Sequence, residues 1–157
     1  FSAVQRLLTG RVDAVPAFWN AEGVALRERG RSVSVFKVED YGAPPYPEVL
    51  IITSRETLAA RRDDLQAALG AIAAGVQATL AHPERAVDWV ADAAAASNPA
   101  ARSLVRAQLR AVAPTYARGL RLDRPLLERW ASWETKVGIV KRRPDIEKAF
   151  VFDLQAD

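Results

Sequence analysis

The run Val49-Leu50-Ile51-Ile52-Thr53 constrains this chain more than any other stretch. Five consecutive β-favouring residues without a charge have no polar face to turn to water. Such a run reads as a strand buried on both faces, with strands beside it and helices over it. Two earlier runs also read as strands. Val12–Phe18 is short and buried, with Pro16 arguing for an edge or a strand end, and Val33–Val38 partly alternates. Helical segments precede each of them. Val4, Leu7 and Leu8 are spaced as one helical face and stop at Gly10, while Asn20 reads as the N-cap of a helix through Val24, Ala25 and Leu26 that stops at Gly30. Helix–strand–helix–strand with short turns is the grammar of an α/β sheet.

Between the second and third strands the pattern breaks. Asp40-Tyr41-Gly42-Ala43-Pro44-Pro45-Tyr46-Pro47 holds three prolines and two tyrosines, which suppress helix and fix an extended crossover. Beyond it Thr53 or Ser54 caps a short helix, with Glu56 in its first turn. From about residue 55 the chain is helix-rich. Asp63–Ala81 carries Leu65, Leu69, Ile72, Val76 and Leu80 at helical spacing, and Leu69, Ile72, Val76 and Leu80 are expected to face the core together. His82-Pro83 ends that helix and Pro83 opens the next, Glu84–Ala96. Ser97-Asn98-Pro99 caps and starts a third, to about Val112, and Leu126, Leu127, Trp130, Trp133 and Val137 mark a fourth that stops at Gly138. The tail, Asp145–Asp157, reads as a short helix or an extended docking segment.

Composition narrows the function. The 157 residues include 22 Lys and Arg against 19 Asp and Glu, interspersed, for a net charge of +3. That balance gives weak grounds for a nucleic-acid partner, and the densest basic cluster, Lys141-Arg142-Arg143, reads as a solvated turn. No apolar stretch approaches the roughly 18 residues of a membrane helix. The chain has no Cys, which removes disulfides, thiolate ligands and a Cys nucleophile, and no Met, although it opens at Phe1 in what looks like mid-helix sequence. The expectation is a processed chain or a fragment, associating with a second chain or with a missing N-terminal half.

Chemistry-bearing motifs are scarce. The single histidine, His82, sits at a helix end, and no spacing of His, Asp and Glu suits a metal. The serines lack a Gly-x-Ser-x-Gly elbow, and there is no Gly-rich phosphate loop. No catalytic residue, metal or cofactor is assigned. Trp19-Asn20-x-Glu22, at a strand-to-helix junction, is the best binding candidate. Such junctions hold ligands in α/β folds, a Trp stacks on planar heterocycles, and Asn with Glu reads a hydrogen-bonding edge. Read without a ligand, the same residues are a core Trp, a helix cap and a first-turn acid. Asp40 and Tyr41 are the next candidates, at a proposed hinge, where they are otherwise turn residues with Tyr packed on proline. Trp130 and Trp133 read as core.

Gly10-Arg11-Val12-Asp13-Ala14-Val15 followed by Phe18-Trp19-Asn20-Ala21-Glu22-Gly23 resembles the second lobe of a type II periplasmic solute-binding protein, of the branch that binds thiamine-pyrimidine precursors. Asp40–Pro47 is similar to the segment leading back to the first lobe, Val49–Leu58 to the returning strand, and Gly75 through His82-Pro83-Glu84-Arg85-Ala86 to the late helices. The resemblance runs in order over about residues 3–140. It implies an α/β fold, with residues 1–37 as the rest of a second lobe, 38–48 as a hinge crossover and 49–157 as a return to the first lobe. It also implies a non-enzymatic, periplasmic or extracytoplasmic ABC-importer component. Such a component captures a planar nitrogen heterocycle and is associated with the membrane through a permease or a lipid anchor. An enzyme making the thiamine pyrimidine on the same fold is the alternative, although those relatives use a Cys-rich motif absent here. A regulator's sensor domain is a third reading.

Overall fold

The computed structural model describes residues 3–95 and 98–154. Phe1, Ser2, Ala96, Ser97 and residues 155–157, on which parts of the expected first helix, second long helix, third cap and tail fall, lie outside the described residues. Helices dominate: α1 (Ala3–Leu8), a π-helical turn (Trp19–Gly23) running into α2 (Val24–Glu28), a 3-10 turn (Val38–Tyr41), α3 (Arg55–Ala60), α4 (Arg62–Ala81), α5 (Pro83–Ala93), α6 (Pro99–Val112), α7 (Arg124–Lys136) and α8 (Ile146–Ala149).

Most helix ends follow the sequence signals. Gly10, Gly30 and Gly138 adopt positive φ of 66°, 65° and 80°. After α1, Gly10 N–H donates to Leu7 O and Arg11 N–H to Arg6 O, a Schellman stop that satisfies the orphan carbonyls, and the same pair of bonds recurs after α2. Ser54 accepts from Thr57 N at 3.0 Å and Asn98 from Ala101 N at 2.8 Å, so both act as the expected N-caps. Pro83 and Pro99 open α5 and α6, where a missing N–H costs nothing.

The helix-rich part of the expected fold is present, and the expected α/β sheet is not seen among the described residues. Among the described residues there is no strand, and the three runs expected as strands, Val12–Phe18, Val33–Val38 and Val49–Thr53, carry no ladder. No backbone N–H of Val49–Thr53 donates to another backbone carbonyl among the described residues. Val49 and Ile52 are 87% and 88% exposed. The physical reason is that a strand is a pairwise structure. β-Branched composition favours extended backbone, but a ladder exists only where a second strand lies at about 4.8 Å.

Two compact units emerge. The first joins Phe1–Ser34 to Gln77–Tyr116. Its α6 packs against α5, α2 and the π-helical turn. Val24 and Leu26 of α2 and Ala86, Val87 and Ala91 of α5 supply the buried side chains. Arg102 clamps α6 to α5 by reaching both Asp88, at 2.7 Å, and Asp92, at 2.6 Å, while Arg106 pairs with Glu84 at 2.8 Å.

The second unit joins Val35–Val76 to Ala117–Asp157. Its core is Leu127 and Ala131 of α7 with Ile146 of α8, flanked by Leu122, Phe150 and Phe152. The tail is therefore both a short helix and a docked segment. Arg55 donates to Lys148 O at 2.8 Å, Arg62 pairs with Asp153 at 2.9 Å, and Arg124 pairs with Glu147. Along α4, Ala73 is the buried residue. Leu69 and Val76 are half-buried, as is Leu80, and Ile72 is exposed. The expected stripe thus passes through Ala73 instead of Ile72, because 69, 73, 76 and 80 align on one face at 3.6 residues per turn.

Candidate functional site

The first candidate is built where an extended segment enters α2. Phe18 has β-region backbone, at φ −84° and ψ 120°, and the chain then winds into five residues of π-helix, Trp19–Gly23. Gly23 N–H reaches back to Phe18 O at 3.2 Å and Ala21 N–H to the same oxygen at 3.1 Å. Wide π turns are uncommon and occur frequently at functional sites, because they re-aim side chains within an otherwise regular helix.

Trp19, Asn20 and Glu22 all lie on this turn. Trp19 is 47% exposed, so it is not the core residue of the ligand-free reading. Asn20 does not cap the helix, which corrects that expectation: the capping position of the turn is Phe18, and the buried Asn20 Oδ1 has no hydrogen-bond partner among the described residues. Glu22 does the local work instead. Its Oε2 accepts from the backbone N–H of Phe18 at 3.0 Å, folding the carboxylate back over the start of the turn. The bond spans four residues, one more than the three of a capping box, in keeping with the wider π winding of this turn.

Asp40 and Tyr41 lie together in the other compact unit, at the end of the 3-10 turn Val38–Tyr41. Gly42 closes that turn with φ of 91°. Tyr41 is exposed and its ring lies 6.4 Å from that of Phe36, tilted by 52°. The structure thus brings Trp19, Asn20 and Glu22 onto one turn, and Asp40 and Tyr41 onto another.

Two features escaped the sequence reading. The ring of Tyr46, from the proline-rich crossover, lies 4.6 Å from that of Trp130, tilted by 31°, and Trp130 lies 4.9 Å from Trp133, tilted by 33°. Glu84 is also more than a first-turn acid. Its hydrogen bond from Arg106, reinforced by the charges of Arg106 and Arg110, holds its pKa below the usual carboxylate value. Among the described residues no three His, Asp or Glu side chains are grouped to hold a metal ion, and no helix is long and apolar enough to cross a membrane.

A family model described as NMT1/THI5 like matches residues 1–86. The chain belongs to the NMT1/THI5-like family. The match covers more than half the chain and contains every candidate, Trp19, Asn20, Glu22, Asp40 and Tyr41, together with the π-helical turn and the first residues of α5. NMT1/THI5-like proteins include solute-binding proteins and biosynthetic proteins, and the binding members are typically extracytoplasmic. Membership of this family points to small-molecule ligand binding. No curated protein and no solved structure matches the chain.

Proposed function

We propose that this chain belongs to the substrate-binding component of an ABC-type importer and captures a small planar nitrogen heterocycle, such as a thiamine pyrimidine precursor. The observation that carries the reading is the orphaned carbonyl of Asn20 beside the exposed ring of Trp19 on a π-helical turn. A buried acceptor without a partner costs about 1–3 kcal/mol, and an amino group on a ligand would remove that cost. Trp19 offers a face for the ring, and Glu22 keeps a second carboxylate oxygen beyond its bond to Phe18. Asp40 and Tyr41 are proposed as further ligand contacts on the resemblance alone, with residues 38–48 as the hinge of the two-lobed binding-protein fold that the resemblance implies. Closure about such a hinge is what a membrane permease would read.

The test is a titration of the protein with aminopyrimidines, flavins and sulfonates, followed by Trp fluorescence and repeated with Trp19→Leu and Asn20→Ser. The expected result is saturable binding of an aminopyrimidine, weakened in both variants, with the ligand recovered unchanged. Affinity unaltered in both variants sinks the site, and chemical conversion of the ligand favours the biosynthetic reading instead.

A further inference from the structure

The loop that follows α7 has a different character from the ligand candidates and lies wholly within the second unit. Its backbone is fixed. Val137 N–H donates to Trp133 O at 2.9 Å, Gly138 N–H to Thr135 O at 3.2 Å and Ile139 N–H to Glu134 O at 2.9 Å, with Gly138 in the left-handed region. Only glycine takes that conformation readily, so the two residues flanking it are held on a defined tip. Those residues are apolar and turned to solvent: Val137 is 50% exposed and Ile139 60%.

Charge surrounds them. Residues 135–144 hold Lys136, Lys141, Arg142 and Arg143 and no acid. Arg143 is drawn back onto α7, where it pairs with Glu128 and donates to Ser132 Oγ at 3.1 Å. Lys136, Lys141 and Arg142 are exposed, and their side chains make no ion pair or hydrogen bond among the described residues. The acids on either side are Glu134, one turn back in α7, and Asp145, which caps α8 and lies 3.3 Å from Lys148.

We propose that this tip, Lys136–Arg142, docks on an anionic lipid surface. Two exposed aliphatic side chains between unpaired cations match the layering of a bilayer interface. The aliphatic groups enter the acyl boundary while the long basic side chains reach up to the phosphates. A solvated basic turn would explain the cations but gives no role to Ile139 and Val137 at its apex. Each Lys or Arg held near an anionic membrane raises partitioning about fivefold, so three free cations supply useful attraction that fades with salt. The inference stands apart from the ligand reading, since none of these residues belongs to the proposed ligand site.

The test is co-sedimentation of the full chain with vesicles of phosphatidylcholine alone or of phosphatidylcholine with phosphatidylglycerol. Lys141→Gln with Arg142→Gln form one variant and Ile139→Ser the other, each checked for an unchanged melting curve. Binding is expected only to the phosphatidylglycerol vesicles, lost at high salt. The double variant should weaken it by about twentyfold to thirtyfold, from two fivefold steps. Ile139→Ser should weaken it by about tenfold, because buried apolar area is lost. Absence of binding to phosphatidylglycerol vesicles overturns the proposal. So does binding that is indifferent to Ile139→Ser and displaced equally by soluble polyglutamate, which would identify an acidic polypeptide as the partner.

Discussion

The Glu22 carboxylate accepts the backbone N–H of Phe18 at 3.0 Å, so the side chain expected to read a ligand also closes the turn that presents the candidates. The two roles are separable by substitution. Glu22→Gln keeps an oxygen acceptor for Phe18, whereas Glu22→Ala leaves that N–H to water. Glu22→Ala is expected to lower stability by about 1 kcal/mol, in line with loss of other helix caps, and Glu22→Gln by much less. Urea unfolding of both variants checks this, and equal losses would mean that the hydrogen bond contributes nothing.

Asn20 and Asn98 make a matched pair. Asn98 caps α6 through Ala101 N at 2.8 Å, while Asn20 Oδ1 is buried without a partner. Asn98→Ala should cost about 1 kcal/mol. Asn20→Ala should be neutral or stabilising, because it removes a desolvated acceptor instead of a bond. Thermal melts of the two variants side by side would expose the contrast, and a comparable loss in both would restore Asn20 as a structural cap.

The α7–α8 contact should dominate the stability of the second unit. Leu127 and Ala131 of α7 share one buried cluster with Ile146 of α8. Leu127→Ala is expected to cost about 2–5 kcal/mol, from lost transfer energy and the cavity left behind. Denaturant titration measures it, with Val49→Ala as the exposed control expected to change little.

Acid should weaken the α5–α6 clamp. Arg106 and Arg110 hold the Glu84 pKa below its ordinary value of 4.5 in the folded state. A depressed folded pKa means that the unfolded chain takes up the proton first as pH falls. The contribution is therefore present above about 4.5 and is lost as pH falls from there through the lower folded value. Glu84→Gln should flatten the acid side of a melting-temperature profile. An unchanged slope below that pH would show that the pairing does not contribute.

What was legible in the sequence was local. Gly10, Gly30 and Gly138 end helices because their backbone needs positive φ, and Ser54 and Asn98 begin them because a short oxygen-bearing side chain reaches the second or third N–H. Both facts lie within five residues of chain. The strands were not legible in the same way. Val49–Thr53 has the composition of a strand, yet pairing depends on residues distant in sequence, and composition carries no information about them. The stripe on α4 was missed by one position because Ala73 scores as a weak hydrophobe while Ile72 scores as a strong one. Of the site, the clustering of Trp19, Asn20 and Glu22 followed from adjacency. The exchange of roles, with Glu22 bonding the backbone and Asn20 left without a partner, depends on the π winding of that turn, which no spacing rule anticipates.

The uncovered Val49–Thr53 run governs how this polypeptide behaves at the bench. Backbone without ladder hydrogen bonds, exposed apolar side chains, high β propensity, no charge and no proline are the features of segments that template cross-β growth. Concentrated samples handled with that stretch bare should develop turbidity and thioflavin fluorescence with a lag that shortens on seeding. Ile51→Lys, which places a charge in the middle of the run, should lengthen the lag without moving the far-ultraviolet helical signal.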